Sequence, residues 1–221
     1  MKIILIGILL LLAGCKSTGL TKGEAYPKLY SEAPNSILVV PVINRSTAAD
    51  APVLYASTIA QPLAEAGYYV FSIPFINEYF AQEGIVDGQQ LRQVSPLRFN
   101  TLFGADSVLF VTIDEWDTHY YIAGGSVSVS LRFELVSTQT GEVLWQFRQE
   151  VVKNTSSDSS NLLVGILETA INTAVVDYVP LARQVNRQVL KTLPVGKYHQ
   201  EHAKDQAHWV PNKTKSNQIR P

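Results

Sequence analysis

Cysteine is almost missing from this 221-residue chain: a single one occurs, at position 15. A disulfide within the chain, a multi-cysteine zinc site and a Cys-x-x-Cys redox pair are all excluded. Charge is scarce too, at 17% of residues, while 46% are hydrophobic. That balance supplies a real core and argues against disorder over most of the length. The formal charge of −1 offers no electrostatic case for nucleic acid as a partner. Histidine is sparse where catalysis would need it. His199, His202 and His208 fall near the end, which leaves only His119 in the body of the chain. No Gly-x-Ser-x-Gly elbow surrounds Ser126, Ser128 or Ser130, and Gly124-Gly125 opens no phosphate-binding loop. We therefore expect no enzyme and no cofactor.

What is present begins with the first 15 residues. Met1-Lys2 precede a short apolar run, Ile3 to Leu12, and then Leu12-Ala13-Gly14-Cys15. About 20 apolar residues are needed to span a bilayer, so this run suits a secretory signal rather than a mature helix. The last four residues look like the lipobox of bacterial lipoproteins. That resemblance implies a diacylglycerol on the Cys15 thiol, cleavage before Cys15, and acylation of the new amine. Several acyl chains give stable anchoring where one is marginal. Lys16 after the cysteine, by resemblance to enterobacterial sorting, implies the outer membrane, with the domain facing the periplasm.

The expected organisation is a signal over 1–14, a lipid-anchored tether over 15–35, one α/β domain over 36–193 and a flexible tail over 194–221. Residues 197–221 hold five basic and two acidic side chains, which suits a solvated tail. Ser36 to Ile43 is a continuous β-branched run, hence a strand buried on both faces, with Pro41 near an edge or bulge. A helix should follow from Asp50 to Ala66, bent at Pro62 and stopped at Gly67. Tyr68 to Ile73 reads as a second strand, Phe75 to Glu83 as a helix, Gln89 to Val94 as a short helix, and Ser95 to Gly104 as a further one. Strand, helix, strand suggests a βαβ unit with a parallel pair.

The pattern then changes. Ser107 to Trp116 is a long strand. Along Ser126 to Val136, Val127, Val129, Leu131, Phe133 and Leu135 alternate with Ser128, Ser130, Arg132 and Glu134, and Val143 to Val151 alternates too. Ser137 to Glu142, with Gly141, is the hairpin link. The expectation is a mixed sheet whose second part is an antiparallel three-stranded meander with one face solvated. Two carboxy-terminal helices should follow, Leu162 to Tyr178 and Leu181 to Leu193. The first is apolar nearly all round, so it is buried or packed on a partner. Leu163, Ile166, Ile171 and Val175 are its candidate oligomer or partner contacts.

Four stretches together resemble one family: Ser36-Ile-Leu-Val-Val-Pro-Val, Ala56-Ser-Thr with Pro62-Leu-Ala-Glu-Ala-Gly-Tyr-Tyr-Val-Phe71, Phe103-Gly-Ala-Asp-Ser-Val-Leu109, and Thr140-Gly-Glu-Val-Leu-Trp145. They are similar to a proteobacterial lipoprotein family of unknown function that includes a meningococcal vaccine-candidate lipoprotein. The resemblance covers roughly residues 30 to 180, and the sequence after Leu193 departs from it. It implies a fold like the amino-terminal domain of the Tol-system propeller protein and the periplasmic domain of the curli secretion channel. It implies no active-site residues. The role implied is a non-enzymatic adaptor, or an assembly or regulatory subunit, of an envelope secretion or transport complex. Partners would be the membrane through Cys15, an envelope protein (a curli-type channel or other lipoproteins) and other copies of the chain. The competing reading is a small-ligand or metal-binding lipoprotein. Glu115, Asp117 and His119 share one face of a strand and bear the ligand types a divalent ion uses. The plainer account of them is a polar strand end with Trp116 turned to the core.

Overall fold

The computed structural model describes residues 19–121, 124–154 and 178–210. The sheet is mixed. Strand β1 (Ser36–Val39) pairs in parallel with β3 (Tyr69–Val70) on one side and with β4 (Ser107–Tyr121) on the other. The short β2 (Ile43–Asn44) also joins β4 in parallel. Beyond β4 the chain turns antiparallel into β5 (Gly124–Ser137) and β6 (Val143–Asn154), so the order is β3-β1-β4-β5-β6. The parallel pair and the meander are both as the patterning requires.

Helices flank the parallel part. On one face lie α3 (Ala51–Glu65) and α6 (Val179–Leu190); on the other lie α4 (Ile73–Gln82) and α5 (Leu97–Phe103). The alternation of β1 sends Ile37 and Val39 into the first core and Leu38 and Val40 into the second. This explains its unbroken apolar run: a strand covered on both faces has no polar side. The second core is aromatic. Phe80, Phe99 and Phe110 meet edge to face, with centroids 6.3 and 6.5 Å apart. In the first core a polar staple joins α3 to α6. The buried Asn186 accepts from Tyr55 OH at 3.0 Å and donates to Thr58 Oγ1 at 2.9 Å.

Several expectations need correction. The strand from Ser36 to Ile43 is two pieces, because Pro41 cannot donate to a ladder and the chain leaves the sheet around it. The second strand shrinks to Tyr69–Val70, since α4 already starts at Ile73 with Pro74 in its first turn. Conversely β4 runs past Trp116 to Tyr121, carried over a bulge between Ile113 and Glu115. The polar face of β5 is not simply solvated: Ser126, Ser128 and Ser130 are buried.

The largest corrections are at the two ends. Of the expected tether, residues 19–35 form α1 (Lys22–Ala25) and α2 (Pro27–Glu32) and are packed, with Lys22 and Leu29 buried. Thr21 and Glu24 close a reciprocal cap on α1, and Pro27 starts α2. Of the expected flexible tail, residues 194–210 form a strap laid over α1 and α2. The signal, Leu12, Ala13, Gly14 and Cys15 lie outside the described residues. So does the helix expected over Leu162 to Tyr178, up to Tyr178 itself, with its contacts Leu163, Ile166, Ile171 and Val175. The second expected helix, Leu181 to Leu193, is α6, shifted by two to three residues.

Candidate functional site

Among the described residues, two regions concentrate charged side chains at or near the sheet's margins. The first is a clasp between the chain's two described ends. Lys22 Nζ donates to Leu193 O at 2.9 Å and to Asp205 Oδ2 at 3.1 Å, and both side chains are buried. Asp205 Oδ2 also accepts Val195 N at 3.0 Å, and its Oδ1 accepts Tyr30 OH at 2.9 Å. Both oxygens of the carboxylate are therefore engaged, and the ammonium has a second acceptor in Leu193 O, as a buried charge pair requires. Burial raises the Tyr30 phenol first, and its bond to Asp205 and that carboxylate's charge raise it further. Tyr68, which donates to Pro194 O at 2.7 Å, is also raised, by burial first and by the charge of Asp205 next.

The strap crosses the end of α3 where Gly67 has φ +87°. A Cβ there would lie 2.5 Å from His199 N, and one on Gly196 would lie 2.4 Å from Gly67 O. The two glycines thus allow backbone to touch backbone. Leu29, Tyr30, Tyr68, Val195 and His202 line a cavity of about 60 Å³ beneath the strap, room only for water-sized guests.

The second region is the far half of the meander. From Glu115 onward β4 pairs, among the described residues, with β5 alone, because its parallel partners stop at Ile113. The apolar face of this half belongs to the first core through Trp116, Val127 and Val129, and Trp116 stacks on Tyr178 with centroids 5.3 Å apart. The opposite face carries Glu115 beside Ser130 and Asp117 beside Ser128, and the backbone register sets position 119 opposite Ser126. The register thus places Glu115 and Asp117 on one side of β4, two positions apart, with His119 two positions further along the strand. Asp117 Oδ1 accepts the backbone N–H of Thr118 at 2.7 Å. Among the described residues no cluster of three His, Asp or Glu side chains is arranged to hold a metal ion. Ser128 Oγ and Ser130 Oγ are buried without a hydrogen-bond partner among the described residues. Next to them Asp114 Oδ1 accepts from Arg132 Nη2 at 2.5 Å, with Arg148 Nε 3.6 Å from Oδ2.

Sequence reasoning missed both the Lys22–Asp205 clasp and the Asp114–Arg132–Arg148 cluster. The cluster had a signal: Arg132 and Arg148 both fall on the polar side of their alternating strands. The clasp had none, because its partners stand 183 positions apart. A polar cleft of about 310 Å³ beside Glu32, Asn35, Asp106 and Thr140 has both its carboxylates engaged, Glu32 Oε1 accepting from Thr140 Oγ1 at 2.9 Å. Asp106 Oδ2 accepts Asn35 N, Ser36 N and Ser36 Oγ at 2.9 to 3.1 Å, which ties β1 to the start of β4.

The family model described as "Putative lipoprotein GNA1162-like" matches residues 25–192. The curated lipoprotein NMB1124/NMB1162 of Neisseria meningitidis serogroup B is 32% identical over 147 residues, 66% of this chain and 68% of that protein. The crystal structure of lipoprotein GNA1162 from Neisseria meningitidis superposes with a TM-score of 0.52 at 37% identity, covering 63% of this chain and 96% of that one. A PelC dodecamer from Paraburkholderia phytofirmans gives a TM-score of 0.45 at 18% identity, covering 72% of this chain and 86% of that one. Among the described residues no helix is long and apolar enough to cross a membrane.

Proposed function

Because the chain belongs to the GNA1162-like lipoprotein family, we propose that it is a non-enzymatic adaptor or assembly subunit of a cell-envelope secretion or transport complex. In this reading it is held at the outer membrane by lipid on Cys15 and faces the periplasm. One observation carries the adaptor role. Strand β6, twelve residues long, is the outer strand of the sheet among the described residues. A long edge presents a row of backbone N–H and C=O groups on which a strand of another protein can dock.

The side chains of that edge suit recognition rather than open aggregation. Arg148 and Glu150 place both signs of charge along it, and Val152 stands 51% exposed directly beside the buried Ser128. A docking strand on this edge would cover Val152 and remove its apolar surface from water.

The test is site-specific photocrosslinking in intact cells. A photoreactive residue at Glu150 or Val152 is expected to trap one defined envelope protein. The same residue at Val53, exposed on α3, is expected not to. Equal adducts from all three positions, or adducts with no other protein from the β6 positions, would refute the adaptor role.

A further inference from the structure

Both described ends of the chain meet at one corner. Thr21 and Trp209 form an antiparallel bridge, Val210 N donates to Leu20 O at 2.9 Å, and Lys22 N donates to His208 O at 2.8 Å. Two large apolar side chains project from this corner: Leu20 is 58% exposed and Trp209 is 55% exposed. By contrast Trp116 and Trp145 are buried in the core. Glu24, the acid at the corner, is taken up by the Thr21 cap, where its carboxylate accepts from the N–H and the hydroxyl of Thr21 at 2.8 and 2.9 Å.

We propose that the Leu20–Trp209 corner is a membrane foot that seats on the anionic headgroup surface, turning the domain's opposite parts toward the periplasm. The occupant follows from chain length and charge. Five steps separate Leu20 from Cys15, so at about 3.3–3.6 Å per residue the corner lies within roughly 18 Å of an acylated sulfur. Interfacial tryptophan favours the headgroup level, where its ring is apolar and its N–H stays wet. The sequence flanking the corner is one-sided in charge: Lys16 precedes it, and residues 211–221 contain Lys213, Lys215 and Arg220 with no acid. Basic residues next to an anchored apolar contact are attracted by anionic lipid, and several weak contacts of this kind add to one anchor.

The strap is what builds the foot. The Lys22–Asp205 pair and the Gly67–Gly196 contact hold the strap down, and the bridge to Thr21 brings Trp209 to the corner. The proposal rests on the reading of Cys15 as lipidated, and the experiment separates the two.

The test uses the full mature chain in vesicles of phosphatidylethanolamine and phosphatidylglycerol. In the acylated protein, lipids brominated in the acyl chains are expected to quench tryptophan emission. Trp209→Phe should abolish that quenching while the emission of Trp116 and Trp145 remains. In parallel, the unlipidated chain of residues 16–221 should bind the same vesicles, about tenfold more weakly as Leu20→Ser/Trp209→Ser, as expected for losing two apolar side chains from an interface. Added salt should also weaken it. Unquenched Trp209 in vesicle-bound acylated protein overturns the foot and leaves the anchor standing. Failure of Cys15 to take up labelled palmitate overturns the anchor, and vesicle binding by the unlipidated chain then decides the foot: equal binding by the double variant refutes it.

Discussion

Replacing Lys22 by Met removes the cation of the clasp and keeps much of its apolar stem. Asp205 then stays buried with Tyr30 OH and Val195 N as donors and no positive charge within its contacts. At 3.1 Å and an effective dielectric near 20, the lost attraction is about 5 kcal/mol before desolvation is counted. Removing one member of a buried pair typically costs ~3–5 kcal/mol, because the other charge is stranded. Residues 194–210 make few apolar contacts of their own, so the cost should fall locally: the strap detaches before the sheet unfolds. Hydrogen exchange reads this directly. The amides of Lys22, Val195, Tyr198 and Val210, bonded respectively to His208 O, Asp205 Oδ2, Gly67 O and Leu20 O, should lose protection in Lys22→Met, while those of β1 and β4 keep theirs. Lys22→Met/Asp205→Leu should recover a large part of the protection, since it strands no charge. Unchanged strap protection in Lys22→Met, or a double variant no better than the single one, would refute the claim that this pair holds the strap.

Two further outcomes follow from buried polar groups. Asn186→Ala should destabilise the domain by about 2–3 kcal/mol, seen as a lower urea midpoint, because Tyr55 OH loses its acceptor in a dry core and Thr58 Oγ1, which still donates to Tyr55 O, loses the donor it accepts from; a shift of under about 0.5 kcal/mol would contradict the staple. Stability should also fall as pH rises above about 10, the ordinary tyrosine value. Burial raises the phenols of Tyr26, Tyr30, Tyr55 and Tyr68 in the folded chain, so the unfolded chain releases their protons first and gains from each. Their stabilisation is complete below that pH and is lost above it. A urea midpoint that does not move between neutral pH and pH values above 10 would refute the assignment.

The patterns with a fixed period were legible in the linear chain. Alternation from Val127 to Leu135 named the core face of β5, and the unbroken run at Ile37 to Val40 announced a strand covered on both sides. Periodicity reports a local geometry repeated many times, so a misjudged end changes it little. Element ends were less legible. A single proline divided β1 from β2, and a bulge carried β4 past Trp116, because those bounds depend on which strand lies alongside.

The single cysteine after Leu12-Ala13-Gly14 and the mixed α/β character were decided by sequence alone, since each depends only on residue type, order and spacing. The fate of the two ends was decided by tertiary structure. Residues 19–35 and 194–210 are rich in the lysine, glycine and proline that signal loops, and no periodicity marks them as packed. They are ordered because Lys22 meets Asp205, Gly67 meets Gly196 and Thr21 meets Trp209. Such pairings between distant residues leave no trace in local composition, and only the folded chain brings the partners within bonding distance.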